Sequence, residues 1–233
     1  MSKYYPPVAS DYSHCQLDTL AQYLQLPPDY GSMYIACQYA RIADEDFIIG
    51  YNFMYNQLEF WNLNQVKPIK RTRLTKEGPG SISEVGSFYY HHADTIFMIS
   101  QYALNITNAN GQSSFSTRIN QSNTALRGID FDALQIYPDL MHSAPVYYNA
   151  AEKALYVPIK PFGSEFNKSY CTNPICARIL LPDYEVELLP IYYPEAYQSK
   201  WFGMMDKPNI TFWAKKLYLI LNSARIFMFM IKT

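Results

Sequence analysis

The 233 residues carry 19 Lys and Arg against 20 Asp and Glu, a formal net charge of -1, and charged side chains make up only 17% of the chain. Binding to a phosphate backbone draws on a basic excess, so this balance argues against a nucleic-acid partner. The 22 Tyr and 13 Phe favour half-buried pleated surfaces, and the length allows a large core, so the chain is expected to be all-β without metal or disulfide staples.

Residues 1–30 read as an N-terminal segment distinct from the rest. They show no apolar h-region and no small-residue cleavage site, so no secretory signal is read there and the chain is cytoplasmic at face value. Leu17, Leu20, Ala21 and Leu24 suit a short amphipathic helix over 16–26, or a closing strand over 20–26, and Pro27 and Pro28 end either one. From residue 31 to residue 233 the pattern is that of strands separated by polar turns. A first unit is predicted at 33–39, 47–51, 58–63 and 69–74, with turns at 44–46, 52–56 and 64–68. Gly78, Pro79 and Gly80 cannot continue a ladder, so they break the sheet. A second unit follows at 85–90, 96–100, 104–107 and 114–119, with Asn110-Gly111 as a hairpin turn where positive φ is cheap.

The third unit is predicted at 146–149, 155–159, 177–181 and 186–192, with an insertion over 160–174, and a fourth supplies only 210–213, 217–221 and 226–231. The apolar run from Leu217 to Ile231 is interrupted by Asn222 and Arg225 and is too short to span a bilayer. Corresponding second strands recur after about 49, 59 and 62 residues, near the period of propeller blades once insertions are allowed. The expected fold is therefore an all-β propeller domain over 31–233, built of four-stranded antiparallel blades and partial at about four blades. An antiparallel β-sandwich is the alternative.

Residues that could carry chemistry are few. No nucleophile elbow, Walker loop, dinucleotide glycine motif or His-Glu-x-x-His helix occurs, and no cofactor is implied. Asp130 with Asp132, and Glu185 with Glu187, share strand faces by spacing, which surface alternation explains equally well. Lys67, Lys70, Arg71, Arg73 and Lys76 read as the solvated face of an outer strand. Cys171 and Cys176 are spaced to close a loop disulfide in an oxidising compartment or to remain two free thiols in a reducing one. His91 and His92 are neighbours on a strand and point to opposite faces, which argues against a shared metal.

In a propeller the first strand of each blade lines the central channel. Tyr90, His91 and His92, then Tyr147 and Tyr148, then Trp213, lie at the ends of such strands, and they are the predicted ligand-binding residues at one mouth of it. The partner expected there is an unidentified protein or glycan, with self-association if the ring is incomplete and a strand edge is exposed.

The stretch Asp46-Phe-Ile-Ile-Gly-Tyr-Asn52, then Leu58-Glu-Phe-Trp-Asn-Leu63, the basic strand closing on Lys76-Glu-Gly-Pro79, and Gly86-Ser-Phe-Tyr89 before Asp94-Thr-Ile-Phe97 resemble the six-bladed, TolB-like β-propeller proteins of Bacteroidetes. Many of those are lipoproteins of no established function. With no catalytic motif in the chain, a non-enzymatic binding or scaffolding role is expected, and the resemblance implies that it is exercised at the cell envelope; a propeller hydrolase or lyase acting on a glycan or peptide is the alternative. It also implies that the chain is part of a longer ring, or else that residues 1–27 close a four-bladed one.

Overall fold

The structure is a computed structural model. It describes residues 26–31, 33–78, 80–100, 103–119, 125–130, 134–136, 146–161, 172–193 and 195, and the backbone alone of 208–213, 216–221 and 227–228. The helix or strand expected over 16–26 lies almost wholly outside these residues. The fold is all-β: four separate antiparallel sheets follow one another along the chain. No helix among the described residues is long and apolar enough to cross a membrane.

Sheet 1 contains β1 (Ala36–Ile42), β2 (Glu45–Asn52), β3 (Gln57–Asn62) and β4 (Lys67–Arg73), paired in chain order. Its first strand is expected at 33–39 but begins at Ala36, because the chain before it crosses the sheet face and lays the Tyr34 ring on Gly50, where a Cβ would collide. Ala43 and Asp44 both take positive φ (49° and 65°), as a two-residue turn matched to strand twist requires, so the first hairpin turns earlier than the acidic run suggests. Sheet 2 repeats the meander with β5 (Val85–His92), β6 (Thr95–Ser100), β7 (Ala103–Thr107) and β8 (Ser113–Arg118).

Sheet 3 pairs β10 (Tyr147–Asn149), β11 (Ala154–Pro161), β12 (Cys176–Leu180) and β13 (Glu185–Leu188). An additional short strand, β9 (Leu134–Ile136), pairs with the far end of β11, which runs into the expected insertion to receive it. Before β9 the linker lies along β13, where Val186 N–H donates to Arg127 C=O at 2.6 Å. Gly128 is required there: its φ is +86° and a Cβ would stand 2.5 Å from the Val186 carbonyl. Sheet 4 consists of β14 (Pro208–Trp213), β15 (Lys216–Leu221) and β16 (Phe227–Met228).

The core explains why β6 is apolar from Ile96 to Ile99 rather than alternating. Its Ile96 and Met98 join Phe47, Ile49, Leu58, Phe60 and Phe88 between sheets 1 and 2, whereas Phe97 and Ile99 join Leu155, Val157, Ile179 and Val186 between sheets 2 and 3. A strand covered on both faces buries every side chain, each contributing roughly 1.5–3 kcal/mol when fully buried. The first strands are tied directly to one another. The Gln38 side-chain amide donates to Tyr90 C=O at 2.9 Å and accepts from Tyr90 N–H at 2.6 Å, imitating a strand peptide between β1 and β5. Val146 N–H, just before β10, donates to the Ser87 hydroxyl on β5 at 3.2 Å.

Candidate binding site

Period-two alternation along β5 sends Tyr89 towards sheet 3 and Tyr90 towards sheet 1, and a register shift between Tyr90 and His92 interrupts it at the two histidines. Tyr90 is consequently a core residue, meeting the Phe60 ring edge-on at 5.9 Å in the cluster between sheets 1 and 2. His91 projects beyond the core and meets Tyr148 of β10 edge-on, with 4.8 Å between ring centroids. Tyr148 in turn leans on Phe97 at 4.7 Å, which fixes its orientation from below. Past that register shift the His92 ring lies 4.7 Å from that of His91, and its Nδ1 accepts from Asp94 N–H at 3.2 Å. Beside them Tyr147 touches Tyr89 at 5.4 Å and Tyr156 at 6.4 Å. The two imidazoles are exposed, and Tyr89, Tyr147 and Tyr148 are half-buried.

Of the expected site residues, then, His91, His92, Tyr147 and Tyr148 come together, Tyr90 lies on the opposite side of its sheet, and Trp213 ends β14 with a side chain outside the described residues. Cys176 is fully buried on β12, where burial pushes its thiol pKa well above the ordinary range; Cys171 lies outside the described residues. The rings packed around His91, and secondarily the adjacent His92, lower its imidazole pKa. Burial, and then Tyr147, raise that of Tyr89. Among the described residues no group of His, Cys, Asp and Glu is gathered so as to hold a metal ion.

Two polar clusters were not foreseen. On the face of sheet 1 opposite the core, Glu59 is fully buried and accepts from Gln57 Nε2 at 2.7 Å, Asn52 Nδ2 at 2.9 Å, Tyr34 Oη at 2.5 Å and Gly31 N–H at 3.4 Å. Trp61 Nε1 donates to the Tyr34 oxygen at 2.8 Å, and Tyr30 packs on the Trp61 ring at 5.6 Å. The carboxylate thus anchors the segment leading into β1. On sheet 3, Arg178 Nε donates to Glu187 at 2.5 Å, while Tyr156 Oη donates to Glu152, also at 2.5 Å. Burial, then that bond to Glu152, push the Tyr156 pKa up to about 12. Only the cross-strand register of Tyr156, Arg178 and Glu187 reveals this set, because Glu152 sits in the preceding turn.

A profile described as a domain of unknown function, DUF4221, matches residues 16–226. The chain belongs to the DUF4221 family. Its architecture resembles the crystal structure of a DUF4221 member from Bacteroides vulgatus ATCC 8482, with a TM-score of 0.62 at 12% identity. The likeness covers 90% of this chain and 61% of that one, so this DUF4221 chain spans about three fifths of its solved relative's length. No curated protein matches. At this identity the likeness shows the fold alone, and DUF4221 itself assigns no activity.

Proposed function

We propose that the chain is a binding module rather than a catalyst, and that its ligand surface is the ledge of Tyr89, His91, His92, Tyr147 and Tyr148. The contact of His91 with Tyr148 carries this assignment, because it sets an exposed imidazole and a propped phenol ring side by side from two different sheets. Such a surface suits a glycan. Aromatic faces pack against the C–H faces of a sugar, while phenol O–H and imidazole nitrogens exchange hydrogen bonds with its hydroxyls. A hydrolase or lyase would need a carboxylate working with the imidazole. No hydrogen bond or ion pair joins a carboxylate to His91 among the described residues.

In the same proposal the sheets are blades of a TolB-like propeller, of which the chain holds about four, and the ledge lies at the channel mouth. Support comes from the sequential meanders, from a second sheet covered on both faces by its neighbours, and from direct bonds joining β1 to β5 and β5 to the start of β10. A six-bladed whole at the cell envelope, as the resemblance implies, belongs to this reading. The test is an oligosaccharide array probed with the wild-type chain and with His91→Ala and Tyr148→Ala. Glycans retained by the wild type and lost by both variants, with unchanged circular dichroism, are the expected result. No retention by the wild type, or equal retention by all three, refutes it.

A further inference from the structure

We propose that the outer edge of β4 is a docking groove for an extended, acidic peptide segment of a partner protein. A cleft of about 470 Å³ runs along that edge, lined by Lys70, Arg71, Thr72 and Arg73 on one side and by Ala109 and Asn110 of the β7–β8 turn on the other. β4 ends its sheet and pairs with β3 alone. Leu74 N–H donates to Asn56 C=O across that ladder, and this sets the alternation: Lys70 and Thr72 turn their main-chain groups to β3, whereas Arg71 and Arg73 turn theirs outward. The β7–β8 turn abuts β4 and closes the cleft at its Arg73 end, since Thr72 Oγ1 donates to Ala109 C=O at 2.6 Å and Gly111 covers the outward Arg73 carbonyl. The Arg71 N–H and C=O have no main-chain partner among the described residues.

The charge around this free peptide unit is one-sided. Lys70 Nζ donates to the neutral Asn110 Oδ1 at 3.1 Å, and of the cations along β4 only Arg71 is ion-paired among the described residues, with Asp29 at 3.2 Å. Lysines on an edge strand ordinarily discourage pairing, and here they repel the equally basic edge of a second copy. A strand bearing carboxylates reverses that repulsion, pairing its main chain with Arg71 while its side chains meet Lys70 and Arg73.

The groove is tested by fluorescence anisotropy with a labelled, capped peptide of Glu-Glu-Thr-Thr repeats, which places carboxylates on both faces of a strand as Lys70 and Arg73 require. Its N-methylated counterpart and a heparin oligosaccharide serve as comparison probes. The peptide should bind in a salt-dependent manner. Lys70→Glu with Arg73→Glu, both at exposed positions, should weaken it at least about tenfold, and N-methylation should weaken it as much. Absence of peptide binding overturns the proposal, as does equal binding of the N-methylated peptide. Heparin binding that falls in the double variant while the peptide does not bind would mean a general polyanion surface, and that also overturns it.

Discussion

Replacing Glu59 tests whether a buried carboxylate holds the entry segment onto sheet 1 or merely burdens it. In Glu59→Leu, Asn52 Nδ2 loses the acceptor it has at 2.9 Å within a fully buried site. Gln57 Nε2 keeps the Asp29 carbonyl at 2.9 Å, and the half-buried Tyr34 hydroxyl can turn to water. One complete loss and three partial ones, that of Gly31 N–H at 3.4 Å being the smallest, amount to about 3 kcal/mol at roughly 1–3 kcal/mol per orphaned buried donor. Glu59→Gln keeps an oxygen where Asn52, Gln57 and Gly31 donate and places its amide N–H₂ opposite Tyr34, whose oxygen can accept it beside the bond from Trp61. That variant should cost about 1 kcal/mol. The difference of about 2 kcal/mol corresponds to roughly 1 M in the urea midpoint for an m of about 2 kcal/mol/M. The assay is urea unfolding of the three proteins with m compared. Buried ionic groups can be replaced by apolar ones without loss, or with gain. A Leu variant as stable as the Gln variant would show that the carboxylate is a burden of that kind, and the donor accounting would fail.

His91 has a folded-state pKa below its usual 6.5. As pH falls the unfolded chain therefore takes up this proton first, and the His91 contribution to stability is full above 6.5, declines between 6.5 and the depressed folded value, and is flat below it. An NMR titration should find His91 below 6.5, with Tyr148→Ala raising it more than His92→Ala; a wild-type value at or above 6.5 contradicts the packing described. Gly111 has φ +82° and a Cβ there would stand 2.8 Å from the Arg73 carbonyl, whereas Gly78 has φ +92° and nothing within 4 Å. Gly111→Ala should cost about 2 kcal/mol and lower Tm by roughly 4–8 °C, and Gly78→Ala about half as much; equal shifts would show that the close approach contributes nothing.

Strand positions were legible because polar turns punctuate apolar runs, and the pairing of strands in chain order followed from the turn lengths. Misplacements trace to long-range causes. The start of β1 is decided by Tyr34, whose partner Glu59 is 25 residues away, and no local pattern contains that distance. Glu59 itself lies between Leu58 and Phe60 as a charged residue in alternation, which reads as solvent-facing until Gly31 and Tyr34 close over it. β9 has only Leu134, Gln135 and Ile136, too few to show a period. At the ledge, strand ends announced His91 and Tyr148 as neighbours. Parity separates Tyr90 from Tyr89, but the assignment of each face to a neighbouring sheet requires the packed structure.

The same packing decides where this fold has freedom to bind anything. Sheet 2 has its two faces committed to neighbouring sheets, so a substitution in the middle of β6 disturbs one core or the other. Among the described residues, uncommitted groups remain in two kinds of place. At strand ends such as that of β5, His91 projects exposed beyond the core, against a Tyr148 of β10 that leans on Phe97 and stays half-buried. At outermost strands, such as β4, every second peptide unit points away from the sheet. On the two proposals made above, the first kind offers side-chain chemistry to a glycan and the second offers main-chain pairing to an extended peptide. Substitutions at either kind of place can change what is bound without touching the buried set that holds the sheets together.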